Sequence, residues 1–197
     1  MKTTRKRKAA VALRSATASD AQALHALICA HRDEGRLLPR SLDEIAVHAD
    51  RFVVAVRGRR IVGCADLAAL SARAAEVRSL AVDRRERGSG IGTMLVDALR
   101  QRAEHDGFEK LCAFTHAPAY FIRMGFSIVP HTWLLEKVTK DCVSCPQFQR
   151  CGQYAMVAPL GAAVERSRNL ARGVQLEQVV ESDAGAGLHA NAASGCA

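Results

Sequence analysis

A glycine-rich loop between a strand pattern and a helix pattern constrains this sequence more than any other feature. The loop reads Arg87-Gly88-Ser89-Gly90-Ile91-Gly92 and follows the apolar run Glu76–Val82. An amphipathic helix pattern comes directly after it and extends to about Asp106. Glycine lacks a Cβ, so its backbone N–H can approach an anion closely, and the helix start adds unpaired donors and partial positive charge. The loop therefore predicts a site for a phosphate or pyrophosphate.

Two common nucleotide-binding patterns do not fit this loop. A dinucleotide fingerprint needs a third glycine where Leu95 stands, and a Walker A loop needs Gly-Lys followed by Ser or Thr. Neither NAD nor ATP is therefore expected. A turn that merely connects two elements stays open as the alternative to an anion site.

Strand and helix patterns alternate through the body of the chain. Ser19 and Ser41 each begin a capping box that opens a helix. Two apolar runs flank Gly58 and predict a hairpin. The remaining strand predictions are Val11–Ala16, Glu76–Val82, Leu111–Thr115 and Phe126–Pro130, with a short helix at Pro118–Met124. The order βααβββαβαβ predicts an α/β fold with a mixed sheet.

Composition divides the 197 residues into three parts. Five of the cations behind the net charge of +8 lie in residues 1–9, predicted to be a disordered basic arm. Residues 10–160 are predicted to form the folded domain. Residues 161–197, rich in Ala, Gly and Ser, are predicted to be a mostly disordered tail. No apolar run of about 18 residues and no secretory signal is present, so we expect a cytoplasmic protein without membrane spans.

Two segments resemble motifs of the GNAT superfamily of N-acetyltransferases. VRSLAVDRRERGSGIGTMLV resembles the acetyl-CoA motif, whose Arg/Gln-x-x-Gly-x-Gly/Ala pattern is met by Arg87, Gly90 and Gly92. YFIRMGF (Tyr120–Phe126) resembles the second motif. The resemblance covers most of residues 10–135 and implies the GNAT fold, a mixed central β-sheet flanked by helices, with acetyl-CoA as cosubstrate. The cofactor-binding residues that it implies are Leu80, Ala81, Val82, Arg87, Gly88, Ser89, Gly90, Ile91, Gly92 and Thr93.

Further segments are similar to bacterial N-acetylglutamate synthases. These are LLPRSLDEI (Leu37–Ile45), FVVAV and IVGCADL within Phe52–Leu67, AEVRSLAV (Ala75–Val82) and KVTKDCVSCPQFQRC (Lys137–Cys151), the last resembling short stand-alone members. The resemblance implies direct acetyl transfer to the α-amino group of L-glutamate. The product would be N-acetyl-L-glutamate, which opens arginine biosynthesis.

Two catalytic residues follow from the resemblance. Glu76 aligns with the catalytic glutamate of the synthases and is the candidate general base; its alternative is a solvent-facing glutamate before a strand. Many superfamily members carry a tyrosine general acid where this chain has Phe121, with Tyr120 beside it. Either Tyr120 substitutes for that acid or the thiolate leaves unassisted.

Substrate contacts are expected from one cationic segment and one strand. By resemblance, Leu38 and Arg40 occupy glutamate-contacting positions, and a guanidinium can grip a carboxylate with two parallel hydrogen bonds. The alternative for Arg40 is a solvated arginine before a helix cap. Arg78 is a second candidate clamp, because strand alternation places it on the same face as Glu76.

The chain has seven cysteines, an odd number that cannot all pair within it, and no export signal. Both observations favour a reducing compartment over a secreted, disulfide-bonded protein. Cys142, Cys145 and Cys151 form a compact set that could hold zinc with a fourth ligand such as His131. We expect no metal and interpret the three as buried or bridged thiols, because a second ligand pair is missing.

Other functions stay open at this point. A GNAT acetyltransferase could act on another amino acid, another small amine or a protein. A basic, cysteine-rich module for nucleic acid is the alternative from a different class. It is disfavoured because aromatic residues make up only 5% of the chain and supply no stacking platform. We therefore expect a small-molecule amino acid as partner, no nucleic acid and no membrane, and leave a homodimer open.

Overall fold

The computed structural model of the protein describes residues 9–34 and 37–161. Within them one sheet contains seven strands in the order β1-β2-β3-β4-β5-β7-β6. The strands are β1 Val11–Ser15, β2 Phe52–Arg57, β3 Arg60–Ala69, β4 Ala74–Val82, β5 Lys110–Thr115, β6 Ser127–Val129 and β7 Tyr154–Pro159. Only β4 and β5 pair in parallel, which confirms the mixed α/β sheet. Disorder was predicted for residues 1–9 and 161–197, which lie outside the described residues except for Ala9 and Gly161.

Strand β7 is absent from the sequence prediction, which ended its strands at Pro130. Its residues Tyr154–Pro159 pair with β5 over six positions and with β6 over three. The strand thus inserts between two neighbours that precede it in the chain. Pairing on both sides stabilises a short apolar run that carries little periodicity of its own.

The first four helices follow the predicted order, and the fifth was not predicted. They are α1 Ala21–Asp33, α2 Leu42–Val47, α3 Ile91–His105, α4 Pro118–Ile122 and α5 Leu135–Lys137. Ser41 caps α2 as predicted, because its hydroxyl accepts the Glu44 N–H at 3.1 Å. The capping box predicted at Ser19 is wrong: the Thr17 N–H donates to Asp20 at 2.9 Å, and a 3-10 turn precedes α1. The carboxylate of Asp20 moves the cap two residues towards the N-terminus.

Strand β4 parts from its neighbour halfway along its length. It pairs with β5 only from Ala74 to Val77, whereas its pairing with β3 continues to Val82. The register with β3 shifts at a bulge, and Ser79 within it has a φ of +50°. A left-handed backbone is uncommon for a residue other than glycine, so this strained turn needs support from its surroundings.

The two faces of the sheet differ in character. Helix α3 packs on one face, the α3 face, over a continuous apolar cluster that includes Leu95, Leu99, Ala75 and Val77. The opposite face carries one apolar cluster under α1 and α2 and a second around Leu134. Between those two clusters lie polar side chains of β3 and β4, namely Asp66, Glu76 and Arg78. We call this the charged face.

No helix among the residues that the structure describes is both long enough and apolar enough to cross a membrane.

Candidate active site

The glycine loop adopts the backbone that an anion cradle requires. Gly88 and Gly90 have φ values of +78° and +83°, and Gly90 is the N-cap of α3. Residues with a Cβ rarely adopt such a backbone conformation. A Cβ built at either glycine would meet nothing within 4 Å. The first helical hydrogen bond runs from the Met94 N–H to the Gly90 carbonyl, so the amides of residues 91–93 lie ahead of it at the helix start. The exposed loop therefore presents backbone donors on an open surface.

Arg87 lies beside this loop and contacts the end of α1. Its guanidinium donates to Glu34 at 2.8 Å and lies 3.1 Å from His31 Nε2. Arg84 adds a longer ion pair to Glu34 at 3.8 Å. The carboxylate of Glu34 thus forms an ion pair with Arg87.

His31 is a functional candidate that the sequence reasoning missed. The ring is buried, and its Nδ1 lies 3.0 Å from the Leu27 carbonyl, which assigns the proton to Nδ1. Nε2 then accepts the Val82 N–H at 3.3 Å. Through this contact α1 supports the strand end that was predicted to touch the cofactor. A lone histidine at the end of a helix pattern gave no sign of that role.

The predicted cofactor stretch of β4 lies beyond the point where β5 departs. Leu80 and Val82 are half-buried, whereas Ala81 is fully buried under α1 and α2. The bulge before them is held by two side chains: Arg40 donates to the Ser79 hydroxyl at 3.1 Å, and the Cys64 thiol lies 3.6 Å from the Ser79 carbonyl. Burial raises the pKa of Cys64 to about 12, so this thiol stays protonated as a donor. The strand therefore presents its backbone along an edge that β5 leaves open.

Glu76 lies at the centre of a cluster of charges on the charged face. Its Oε2 accepts from Arg78 Nε at 2.6 Å and from Lys137 Nζ at 2.9 Å. Both cations also contact Asp141. Lys137 Nζ donates to Asp141 Oδ2 at 3.0 Å, and Arg78 Nη2 donates to the same oxygen. The Glu76 side chain is only 4% exposed. The predicted solvent-facing alternative for Glu76 is therefore wrong, and its predicted placement beside Arg78 is confirmed.

Lys137 and Asp141 come from the segment that follows Trp133, and neither was predicted as a site residue. They are four residues apart on one short helical stretch. Burial alone would raise the pKa of Asp141, but hydrogen bonds and charges of Lys137 and Arg78 outweigh it and lower the pKa below its ordinary value. The i, i+4 spacing of Lys137 and Asp141 is typical of a helical turn. It does not show that this turn lies beside Glu76.

Arg40, predicted as a clamp for the substrate carboxylate, contacts two carboxylates of its own chain, and its role as a clamp stays a prediction. Its Nη1 donates to Asp66 Oδ2 at 2.6 Å, and its Nε and Nη2 donate to Glu44 at 3.0 and 2.7 Å. Asp66 is fully buried, and its Oδ1 has no hydrogen-bond partner within the described residues. The guanidinium therefore neutralises a buried carboxylate of its own chain. Leu38, predicted beside it, is 61% exposed.

Tyr120 packs with the apolar cluster of the α3 face, whereas Glu76 lies on the charged face. A Cβ built on Gly92 would come within 2.9 Å of the Tyr120 hydroxyl, so the ring lies directly against the start of α3. Within the part of the chain that the structure describes, the buried hydroxyl makes no hydrogen bond of good geometry, although Thr93 is close enough to act on it. Burial raises the pKa of Tyr120, and Thr93 opposes part of that rise. The general-acid role of Tyr120 stays a prediction.

The cysteine segment surrounds the turn that follows Asp141. Cys142 and Cys145 are half-buried and Cys151 is exposed, and all three are free thiols. Among residues 9–34 and 37–161, no three His, Cys, Asp or Glu side chains gather as ligands of a metal ion. Burial raises the pKa of Cys142, and the neighbouring Cys151 and Cys145 raise it further.

Comparison with known sequences gives matches over most of this domain. A model of the acetyltransferase (GNAT) family matches residues 20–126. An N-acetyltransferase of Chlorobaculum tepidum is 32% identical over 148 residues, which cover 75% of this chain and 96% of that protein. An amino-acid acetyltransferase of Pasteurella multocida is 31% identical over 118 residues, which cover 59% of this chain and 27% of that protein.

Solved structures share the same architecture. N-acetylglutamate synthase of Neisseria gonorrhoeae, solved with coenzyme A and N-acetyl-glutamate, has a TM-score of 0.71 at 26% identity. The alignment covers 79% of this chain and 36% of that one. A Mycobacterium tuberculosis protein solved with CoA has a TM-score of 0.66 at 24% identity, over 76% of this chain and 99% of its own, and is alike in fold. The chain thus spans about a third of the Neisseria synthase and about a quarter of the Pasteurella relative.

Proposed function

The chain belongs to the acetyltransferase (GNAT) family, and from that premise we propose that it acetylates the α-amino group of an amino acid, with L-glutamate as first candidate. It is an N-acetyltransferase that uses acetyl-CoA. The observation that carries the proposal of an amino-acid acceptor is Glu76, a buried carboxylate held between two cations where β4 opens. The similarity to amino-acid acetyltransferases and to N-acetylglutamate synthase supports it. On this proposal the product is N-acetyl-L-glutamate, which opens arginine biosynthesis.

The glycine loop fits the diphosphate of acetyl-CoA. The left-handed backbone of Gly88 and Gly90 leaves space that a Cβ would restrict, and the amides at the start of α3 add donors. Arg87 lies beside them and would exchange Glu34 for the diphosphate. The edge of β4 that β5 leaves open would hold the pantetheine arm by the backbone of residues 80–82, where the Val82 N–H already donates to His31. Acetyl-CoA supplies the acetyl group as a thioester.

The charged face fits the amino acid. An α-amino acid brings an ammonium, which must lose a proton before it can attack, and at least one carboxylate. Arg78 and Lys137 supply the positive charge that a carboxylate needs. A polycationic amine would instead meet two like charges at this position, which disfavours a polyamine as acceptor.

Glu76 is the group placed to take the proton. It is fixed on a strand, shielded from water, and held by Arg78 and Lys137 at one oxygen. A general base must lie within hydrogen-bond reach of the proton that it removes, and the same cations that bind the acceptor carboxylate would bring the amine to Glu76. Arg40 and Leu38 stay candidates for contact with the acceptor.

The experiment that tests this function is thiol release from acetyl-CoA against a panel of amino acids, with mass detection of the product. L-glutamate, L-glutamine and L-aspartate separate the side-chain preferences, and spermidine and a peptide with a free N-terminus represent the other acceptors. We expect an acidic or amide amino acid to give the highest kcat/KM. Release with spermidine or the peptide and with no amino acid would contradict the proposal.

A further inference from the structure

Asp141 makes the contacts that a substrate carboxylate would make. One of its oxygens, Oδ2, lies between Arg78 Nη2 and Lys137 Nζ, the two cations that also hold Glu76. We infer that Asp141 is an internal occupant of the acceptor's carboxylate subsite, and that the acceptor displaces it from Arg78 and Lys137 on binding. The location of this subsite rests on the proposed function; the competition by Asp141 is a separate claim.

The charges of the cluster balance as they stand. Glu76 and Asp141 contribute two negative charges, and Arg78 and Lys137 contribute two positive ones. An acceptor carboxylate added beside Asp141 would share the same two cations and repel the Asp141 carboxylate at close range, which is costly in a partly buried site. An acceptor carboxylate that replaces Asp141 keeps the balance. Exchange is therefore favoured over addition.

Asp141 is the replaceable member of the four. Glu76 and Arg78 are fixed on the central strand β4, with side chains 4% and 25% exposed. The side chain of Asp141 is 32% exposed, the largest value in the cluster, and it lies on a short helical turn outside the sheet. A carboxylate at the solvent side of a site can leave without unpairing strands.

The two cations keep other support when Asp141 leaves. Lys137 Nζ lies 5.2 Å from the centre of the Phe114 ring, and its ion pair to Glu76 is independent of Asp141. Arg78 keeps its bond to Glu76 and lies opposite the buried Asp66 in the register of β3 and β4. The subsite thus stays formed around whichever carboxylate enters it.

Competition of this kind lowers the apparent affinity by the fraction of molecules in which the subsite is free. Removing the charge of Asp141 while keeping its shape, as in Asp141→Asn, is therefore expected to tighten binding of an external carboxylate. A purely structural role for Asp141 predicts the opposite sign, because the loss of an ion pair would loosen Lys137 and Arg78. The direction of the change separates the two.

The test uses glutarate, a dicarboxylate without an amine, titrated by calorimetry into the CoA-loaded protein. Asp141→Asn is expected to bind glutarate about fivefold more tightly than the wild type, and Asp141→Glu, which keeps the charge, about as tightly as the wild type. Glu136→Gln is the matched control: it removes the neighbouring ion pair to Lys110, at 3.0 Å, without touching the cluster, and should leave the affinity unchanged.

Unchanged or weaker glutarate binding by folded Asp141→Asn would overturn the inference. Should that variant fail to fold, Lys137→Met provides a second test: it is expected to weaken glutarate about tenfold, and an unchanged affinity would also overturn it. Glutarate binding needs no acetyl transfer. An enzyme inert towards every amino acid, with tighter glutarate binding in Asp141→Asn, would end the proposed function but leave the competition between Asp141 and an external carboxylate standing.

Discussion

The two faces of the central strand β4 differ in polarity, because apolar and charged residues alternate along it. Ala75 and Val77 pack into the apolar cluster beneath α3, whereas Glu76 and Arg78 join the charged face. One step along the strand thus separates apolar residues of the core from the two charged residues, of which Glu76 is the proposed general base. Changes on the α3 face should mainly affect stability, and changes at Glu76 should mainly affect turnover.

The largest expected effect is that of removing the charge of Glu76, at the centre of the charged face. Glu76→Gln should lower kcat by about 10²- to 10⁴-fold, the range for losing a general base, with little change in the Kd for acetyl-CoA. Stability should fall little, because Asp141 still offers a carboxylate to both cations. Steady-state kinetics with calorimetry of acetyl-CoA binding measure both quantities. Unchanged turnover across pH would remove Glu76 from the mechanism.

The second prediction concerns Arg40, whose partner Asp66 lies on the charged face. Arg40→Ala leaves Asp66 buried without its cation, so we expect a loss of about 3–5 kcal/mol in the free energy of unfolding, measured with denaturant. Asp66→Asn in the same variant should restore part of the loss, because no unpaired charge remains. The sequence predicted instead that Arg40 binds substrate. Unchanged stability with a raised KM for the amino acid would establish that clamp.

The smallest expected effect tests the contact at the start of α3. Gly92→Ala places a Cβ 2.9 Å from the Tyr120 hydroxyl, on a ring that packs against the apolar cluster, so we expect a loss of about 1–3 kcal/mol in stability. Tyr120→Phe removes that hydroxyl and should reduce the cost of Gly92→Ala. Equal costs in both backgrounds would show that the two residues do not meet. The turnover of Tyr120→Phe alone tests its predicted role as general acid.

Local patterns in the sequence predicted most of the fold. The glycine spacing and the apolar period after it placed α3, and the hairpin around Gly58 appears as β2 and β3. Strand β7 was missed because its strand conformation depends on partners 26 to 49 residues earlier in the chain. The cap at Thr17 was missed because Asp20 and Gln22 both offer a side chain at capping distance, and the sequence does not rank them.

The candidate site was predictable where it depends on strand alternation. Glu76 and Arg78 lie two residues apart and share a face, as a period of two requires. Lys137 and Asp141 were not predictable, because their approach to Glu76 depends on where a separate segment docks. The same holds for Arg40: the sequence showed a cation before a cap but not the buried Asp66, 26 residues later, that it neutralises.

The position of β7 between β5 and β6 leaves strand edges unpaired until late in synthesis, because β7 is the last of the seven strands in the chain. Strand β5 shares only four paired positions with β4 and six with β7. During synthesis, the side of β5 that faces away from β4 therefore stays unpaired until Tyr154–Pro159 have left the exit tunnel. A nascent or truncated chain that stops before Tyr154 would expose this strand edge to other polypeptides, and chaperones would be needed most in that interval.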